Sequence, residues 1–143
     1  MPFKKDVEET PCLEAAYCKG LGAVKAIDRS RMTAKEPEKL AGSIDLDKHL
    51  SKRYPNENVW DYCVGVKKGN KGQLLHWIEV HSAAGGKGVT ELVKKKDWLL
   101  AWLKNDGRRL HDYKRRIIWI ASGKTKLQKN APQARRLAKS GIT

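Results

Sequence analysis

The chain has 143 residues, 40% of them hydrophobic, which is enough for one ordinary core and too short for two comfortable domains. Its 30 Lys and Arg against 16 Asp and Glu leave a formal charge of +14. This balance favours a polyanionic partner, nucleic acid first, because each neutralised phosphate releases condensed counterions.

Cys12, Cys18 and Cys63 form no paired framework and match no zinc spacing, so a reducing compartment is expected. The N-terminus MPFKKDVEET lacks the apolar run of a signal peptide, and no stretch approaches the roughly 20 apolar residues of a membrane helix. A soluble cytoplasmic protein without membrane contact is the expectation.

In chain order, Thr10 followed by Pro11 gives a helix start, since a hydroxyl can cap and proline's missing N–H costs nothing in the first turn. A helix is predicted from about Pro11 towards Ile27, with Leu13, Ala16, Tyr17, Leu21 and Val24 as its apolar stripe and Glu14 beside it. Gly20 and Gly22 weaken its middle by about 1 kcal/mol each relative to alanine. After a charged stretch, the alternating run from Gly42 to Asp47 predicts a short strand, with His49–Tyr54 open to a helical turn.

Val59–Val66 alternates and is rich in β-branched and aromatic side chains, so it predicts a strand, with Leu74–Ser82 as its hairpin partner across a Lys/Gly-rich turn. Period-two alternation puts Leu75, Trp77, Glu79 and His81 on one face, and Asp61 can reach that face in the right register.

From Val89 the period changes to 3.6. Val89, Leu92, Val93, Leu99, Leu100 and Leu103 form the stripe of a helix ending near Asp106 and Gly107. Counting about 100° per residue puts Lys96 in the middle of that stripe and turns Lys94 and Lys95 away. Ile117–Ala121 is a continuous apolar run suited to a buried strand. Beyond it, Ala131–Lys139 predicts a short basic helix after Asn130. Residues 107–143 hold 11 basic side chains and only one acid, Asp112, so this region is the expected electrostatic contact with nucleic acid, through Lys124, Lys126, Lys129, Arg135 and Arg136.

Asp61 and Glu79 are costly to bury on core strands for packing alone. Two carboxylates on adjacent strands suit Mg²⁺ or Mn²⁺, since Mg²⁺ takes one or two carboxylates and leaves its other positions to water and phosphate. A bound divalent ion lowers the pKa of water and steadies the charge of a reacting phosphodiester. The competing explanation is structural: Asp61 ends a strand, Glu79 pairs with a lysine and His81 is an ordinary polar end. Asp45 and Asp47, as an i, i+2 pair, suit a metal ion, but a turn before His49 explains them more cheaply.

The order helix, strand, strand, strand, helix, strand, with an acid opening the second strand and a Glu-x-basic pair on the third, resembles the PD-(D/E)xK nuclease superfamily of restriction-endonuclease-like folds. The resemblance spans roughly Pro11 to Ala121 and implies an α+β (α/β) protein with an αβββαβ core. A mixed central sheet would be flanked by helices, and the single domain 1–143 would end in a basic helical extension from about residue 122. It implies Asp61 and Glu79 as metal ligands, with Glu14 as a further first-helix carboxylate. His81 stands where the family usually has its catalytic lysine, so either His81 acts as base or ligand or the amine comes from Lys96. DNA is expected over RNA as substrate, and a homodimer is left open.

Trp60, Trp77, Trp98, Trp102 and Trp119 fall in predicted elements and suit core packing, with Trp98 and Trp102, off the main stripe, the candidates for stacking on bases. Three classes of function remain: a metal-dependent nuclease, a nuclease-fold protein that only binds nucleic acid, and an interaction module for an acidic protein partner.

Overall fold

The computed structural model describes residues 2–30, 39–67, 73–81, 85–121 and 142. Within these, the order is α1 (Pro2–Glu8), α2 (Ala26–Arg29), β1 (Leu40–Asp45), α3 (Leu46–Leu50), β2 (Tyr62–Lys67), β3 (Gln73–His81), α4 (Gly85–Lys104), α5 (Arg108–His111) and β4 (Lys114–Ala121). The protein is α+β. Its four strands lie in the order β1-β2-β3-β4, with the first two pairings antiparallel and β3 parallel to β4. A parallel neighbour cannot be reached by a tight turn, and the 20-residue α4 makes the crossover.

The predicted helix from Pro11 to Ile27 does not form. Instead Phe3 and Val7, one turn apart on α1, are both fully buried, and the Thr10 hydroxyl donates to the Asp6 carbonyl at 2.7 Å just beyond that helix. Residues 10–24 run as successive turns, with amides donating three residues back at Leu13, Ala16, Gly22 and Val24. Cys12 at φ 72° and Gly20 at φ 54° leave the right-handed helical region. Cys18 and Ser43 exchange both backbone bonds, at 3.0 and 2.9 Å, so the segment caps the β1 edge. Sheet pairing and positive φ override the apolar period read from the sequence; only α2 remains helical.

The predicted strand at Gly42–Asp47 is β1, shifted two residues towards the N-terminus, and the helical turn after it begins earlier, as α3. The Asp45 carboxylate accepts from the Lys48 amide at 3.0 Å, so it is a helix cap, the cheaper of its two explanations.

Two apolar clusters sandwich the sheet. The larger joins Phe3, Val7, Ile44, Cys63, Leu75, Trp77 and Ile117 to Val89, Leu92, Leu99, Trp102 and Leu103 of α4, and it includes Ile142, which bridges β4 at Ile117. The smaller, on the other face, contains Val24, Tyr62, Val64 and Ile78. Among the described residues no helix is long and apolar enough to cross a membrane.

The buried stripe of α4 differs from the expected one. Val93 and Leu100 are only half-buried, whereas Trp102 is 4% exposed. The helix is therefore rotated towards Trp102, which carries Lys95 inward. Trp102 is a core residue rather than a free stacking platform: it packs edge-on against Trp77 and parallel to Trp98, with ring centroids 6.1 Å apart in each case.

Candidate active site

The β2–β3 register pairs Tyr62 with Ile78 and Cys63 with Trp77. One step further, Asp61 stands opposite Glu79, and alternation puts both on the face that carries Cys63 and Trp77. The two acids are also bonded to each other's backbones. The Asp61 amide donates to Glu79 Oε1 at 3.1 Å, and the Val80 amide donates to Asp61 Oδ2 at 3.0 Å. The Asp61 carbonyl accepts from the Leu46 amide at 2.9 Å, which ties this strand entrance to α3.

From α4, Lys95 Nζ donates to Glu79 Oε2 at 2.5 Å. The Glu79 side chain is 1% exposed and that of Lys95 is 21% exposed, so the ion pair lies at the boundary between core and solvent. Burial, with repulsion from Asp61, pushes the Glu79 carboxyl up to about 7 against the opposing pull of Lys95 and the Asp61 amide. Burial also raises Asp61. The Val80 amide and Lys95 oppose that rise, while the charges of Asp47 and Asp28 add to it. Two interacting carboxylates with raised proton affinities and a lysine between core and water form a titratable site of the kind found where chemistry is done.

Asp61 and Glu79 are thus brought together as expected from the strand pattern. Lys96 is not the lysine that reaches them. Its neighbour Lys95 does so, because the stripe of α4 is centred nearer Trp102 than an even weighting of Val93 and Leu100 implies. Glu14 is not part of the site: it lies exposed in a turn, and its carboxylate accepts from the Cys12 amide at 2.8 Å. The helix that was to present it is absent.

His81 is the last residue of β3, two positions beyond Glu79 and paired with Ala121; its side chain lies outside the described part of the structure. Lys124, Lys126, Lys129, Arg135 and Arg136 lie outside the described residues, as does the turn at 68–72.

Sequence reasoning missed Lys95 and also Asp28. The latter accepts from the Tyr62 hydroxyl at 2.5 Å and contributes negative potential to Asp61. Weighting Trp102 as a core residue would have found Lys95. Nothing in the local sequence signals Asp28, because a four-residue helix far along the chain brings it to β2.

Among the described residues, no group of three or more His, Cys, Asp and Glu side chains converges as a metal cage. What is present is a carboxylate pair, a donor set that suits a hard cation keeping most of its water rather than a fully protein-bound one. Comparison with protein-family models, with curated proteins and with solved structures finds no match to this chain.

Proposed function

We propose that this protein is a metal-dependent nuclease of the PD-(D/E)xK type, hydrolysing phosphodiester bonds of nucleic acid, DNA in preference to RNA. One observation carries the reading: Asp61 and Glu79 face each other across β2 and β3 while α4 supplies Lys95 to Glu79. A lysine from the helix after the third strand answers the one departure from the family's pattern, the histidine at 81.

The carboxylates of Asp61 and Glu79 would hold a single Mg²⁺ or Mn²⁺. Each carboxylate oxygen has two lone pairs, so the backbone bonds at Asp61 Oδ2 and Glu79 Oε1 orient the acids without exhausting them. Bound there, a divalent cation supplies Lewis acidity and a water of lowered pKa.

The chain's own groups do the rest. The reciprocal amide bonds fix both carboxylates before any ligand arrives, which removes reorganisation from the reaction. Lys95, whose ammonium is partly solvated, can turn from Glu79 towards a phosphate and offset charge that develops on it. Glu79 must be ionised to take part, and its high proton affinity places that requirement near neutral pH. The free thiols of Cys12, Cys18 and Cys63 accord with a cytoplasmic setting for this reading.

A second reading, a nucleic-acid-binding protein without catalysis, is favoured by one detail. Three of the four carboxylate oxygens already have partners inside the protein, so the pair can serve as a structural clasp. The two readings separate with labelled duplex DNA, single-stranded DNA and RNA incubated with Mg²⁺, Mn²⁺ or EDTA. The nuclease reading expects metal-dependent cleavage that falls at least about 100-fold in Asp61→Asn and in Glu79→Gln while metal-free binding persists. Wild-type protein that binds but cleaves none of the three with either metal would leave only the second reading.

A further inference from the structure

We propose that a basic depression at the far end of α4 docks the phosphate backbone of the nucleic acid. The proposal rests on the nucleic-acid part of the reading above and is independent of its chemistry.

The depression is open, encloses about 540 Å³, and is lined by Leu103, Lys104, Arg108, Arg109, His111 and Asp112. One lining residue is apolar and three carry fixed positive charge, so it offers little to an apolar ligand and much to an anion. Its walls are braced. Arg109 is held by Glu9 at 2.7 Å, and Arg115 donates to the His111 carbonyl at 3.0 Å.

Lys104 and Arg108 are both exposed and have no ion-pair partner among the described residues. The nearby acids weaken this potential only in part. Asp106 is bonded by the Tyr54 hydroxyl and lies 4.0 Å from Arg53, and the Asp112 side chain is 97% exposed beside His111. Exposed Lys114 and Arg116, at the start of β4, extend the positive surface around the end of the sheet. A chain of regularly spaced anions suits such a surface better than a single small anion, because its cations are spread rather than convergent.

The depression lies at the C-terminal end of α4, about 14 Å along the helix axis from Lys95, and Lys104 projects from the side of α4 opposite Lys95.

The test measures binding of a fluorescent 20-base-pair duplex to the full chain by anisotropy, in EDTA, across a salt series. Lys104→Ala/Arg108→Ala is compared with wild type and with a control pair of exposed lysines, Lys48→Ala/Lys52→Ala. Loss of two phosphate contacts is expected to lower the slope of log K against log salt by about 1.8 and to weaken binding about tenfold, with the control unchanged. Unchanged slope and affinity in the double variant would overturn the proposal, as would absence of duplex binding by wild type.

Poly-glutamate bound as tightly as the duplex would overturn it in favour of a protein partner. The fate of the nuclease reading is read separately. Wild type that cleaves while the double variant keeps its slope defeats the docking site alone. A protein that never cleaves but loses slope in the double variant defeats only the nuclease.

Discussion

Asp61 and Glu79 hold one another in place through the main chain: the amide of Asp61 bonds the Glu79 carboxylate, and the amide following Glu79 bonds the Asp61 carboxylate. A pair of like charges is thereby kept face to face with amide dipoles between them, and Lys95 bonds the buried partner directly. The site's behaviour with pH and mutation follows from this arrangement.

The first expectation concerns pH. Glu79 holds its proton to about 7 in the folded protein, well above an ordinary glutamate, so between those values the native state binds more protons than the unfolded chain. Its contribution to stability is therefore complete in mild acid, below the unfolded value, and is lost as pH rises through about 7; raised Asp61 acts in the same sense. Glu79→Gln keeps the shape and the acceptor without the charge. Urea titrations should show it close to wild type near pH 4.5 and more stable by about 1–3 kcal/mol at pH 8. An equal difference at both pH values would contradict the burial of a titrating acid.

Lysine identity is the second. Under the proposed nuclease function, Lys95→Met is expected to lower metal-dependent cleavage by about 10²–10³-fold, whereas Lys96→Met changes it by less than about tenfold. Removing Lys95 also removes the charge that favours ionised Glu79, so this variant should lose more stability at pH 8 than at pH 5.5. The reverse ranking of the two lysines would assign the proposed role to Lys96.

A third prediction tests the packing of the edge strand. Gly42 sits at φ 141°, and a methyl group added there would come within 2.3 Å of the Tyr17 ring. Tyr17 cannot simply swing away, since its hydroxyl donates to the Ala41 carbonyl at 2.7 Å. Gly42→Ala should cost more than about 2 kcal/mol and lower Tm by roughly 6 °C or more. A melting curve superimposable on wild type would mean that the turn segment does not lie against β1.

Ile142 supplies the fourth. It is 3% exposed and belongs to the main core through its bridge to Ile117. Ile142→Ala is expected to cost about 2–4 kcal/mol in denaturant titrations, a core-sized loss rather than the few tenths typical of an exposed side chain. A change within 0.5 kcal/mol, the range of surface substitutions, would place Ile142 outside the core.

The strands and α4 were legible because their signal is local. Val64, Leu75 and Trp77 alternate, and Val89, Leu92, Leu99 and Leu103 recur at helical spacing, each stating its own period. β2 and β3 differ from expectation only at their ends, and β4 gains three residues, Lys114 to Arg116, whose charge hid them from an apolar-run criterion. That Asp61 stands at the entrance of β2, opposite Glu79 on its partner, was readable in the same way. The N-terminal region was not. Leu13, Ala16 and Val24 are buried, as an apolar stripe requires, but three separate turns bury them against the sheet, and no local period encodes a bond between Cys18 and Ser43. Lys95 and Lys96 lie about 100° apart around α4, so which of them turns inward depends on how heavily Trp102 weighs against Leu100 on the buried face.

Phe3 and Ile142 share one buried cluster although nearly the whole chain separates them. Closing so long a loop must precede the contacts that reward it, so rapid, piecewise assembly of the kind seen in small helical bundles is disfavoured, and refolding on a millisecond-to-second scale is the natural regime. The same stitching makes the two ends interdependent: a protease nick near either one should loosen the sheet's centre rather than merely fray a terminus.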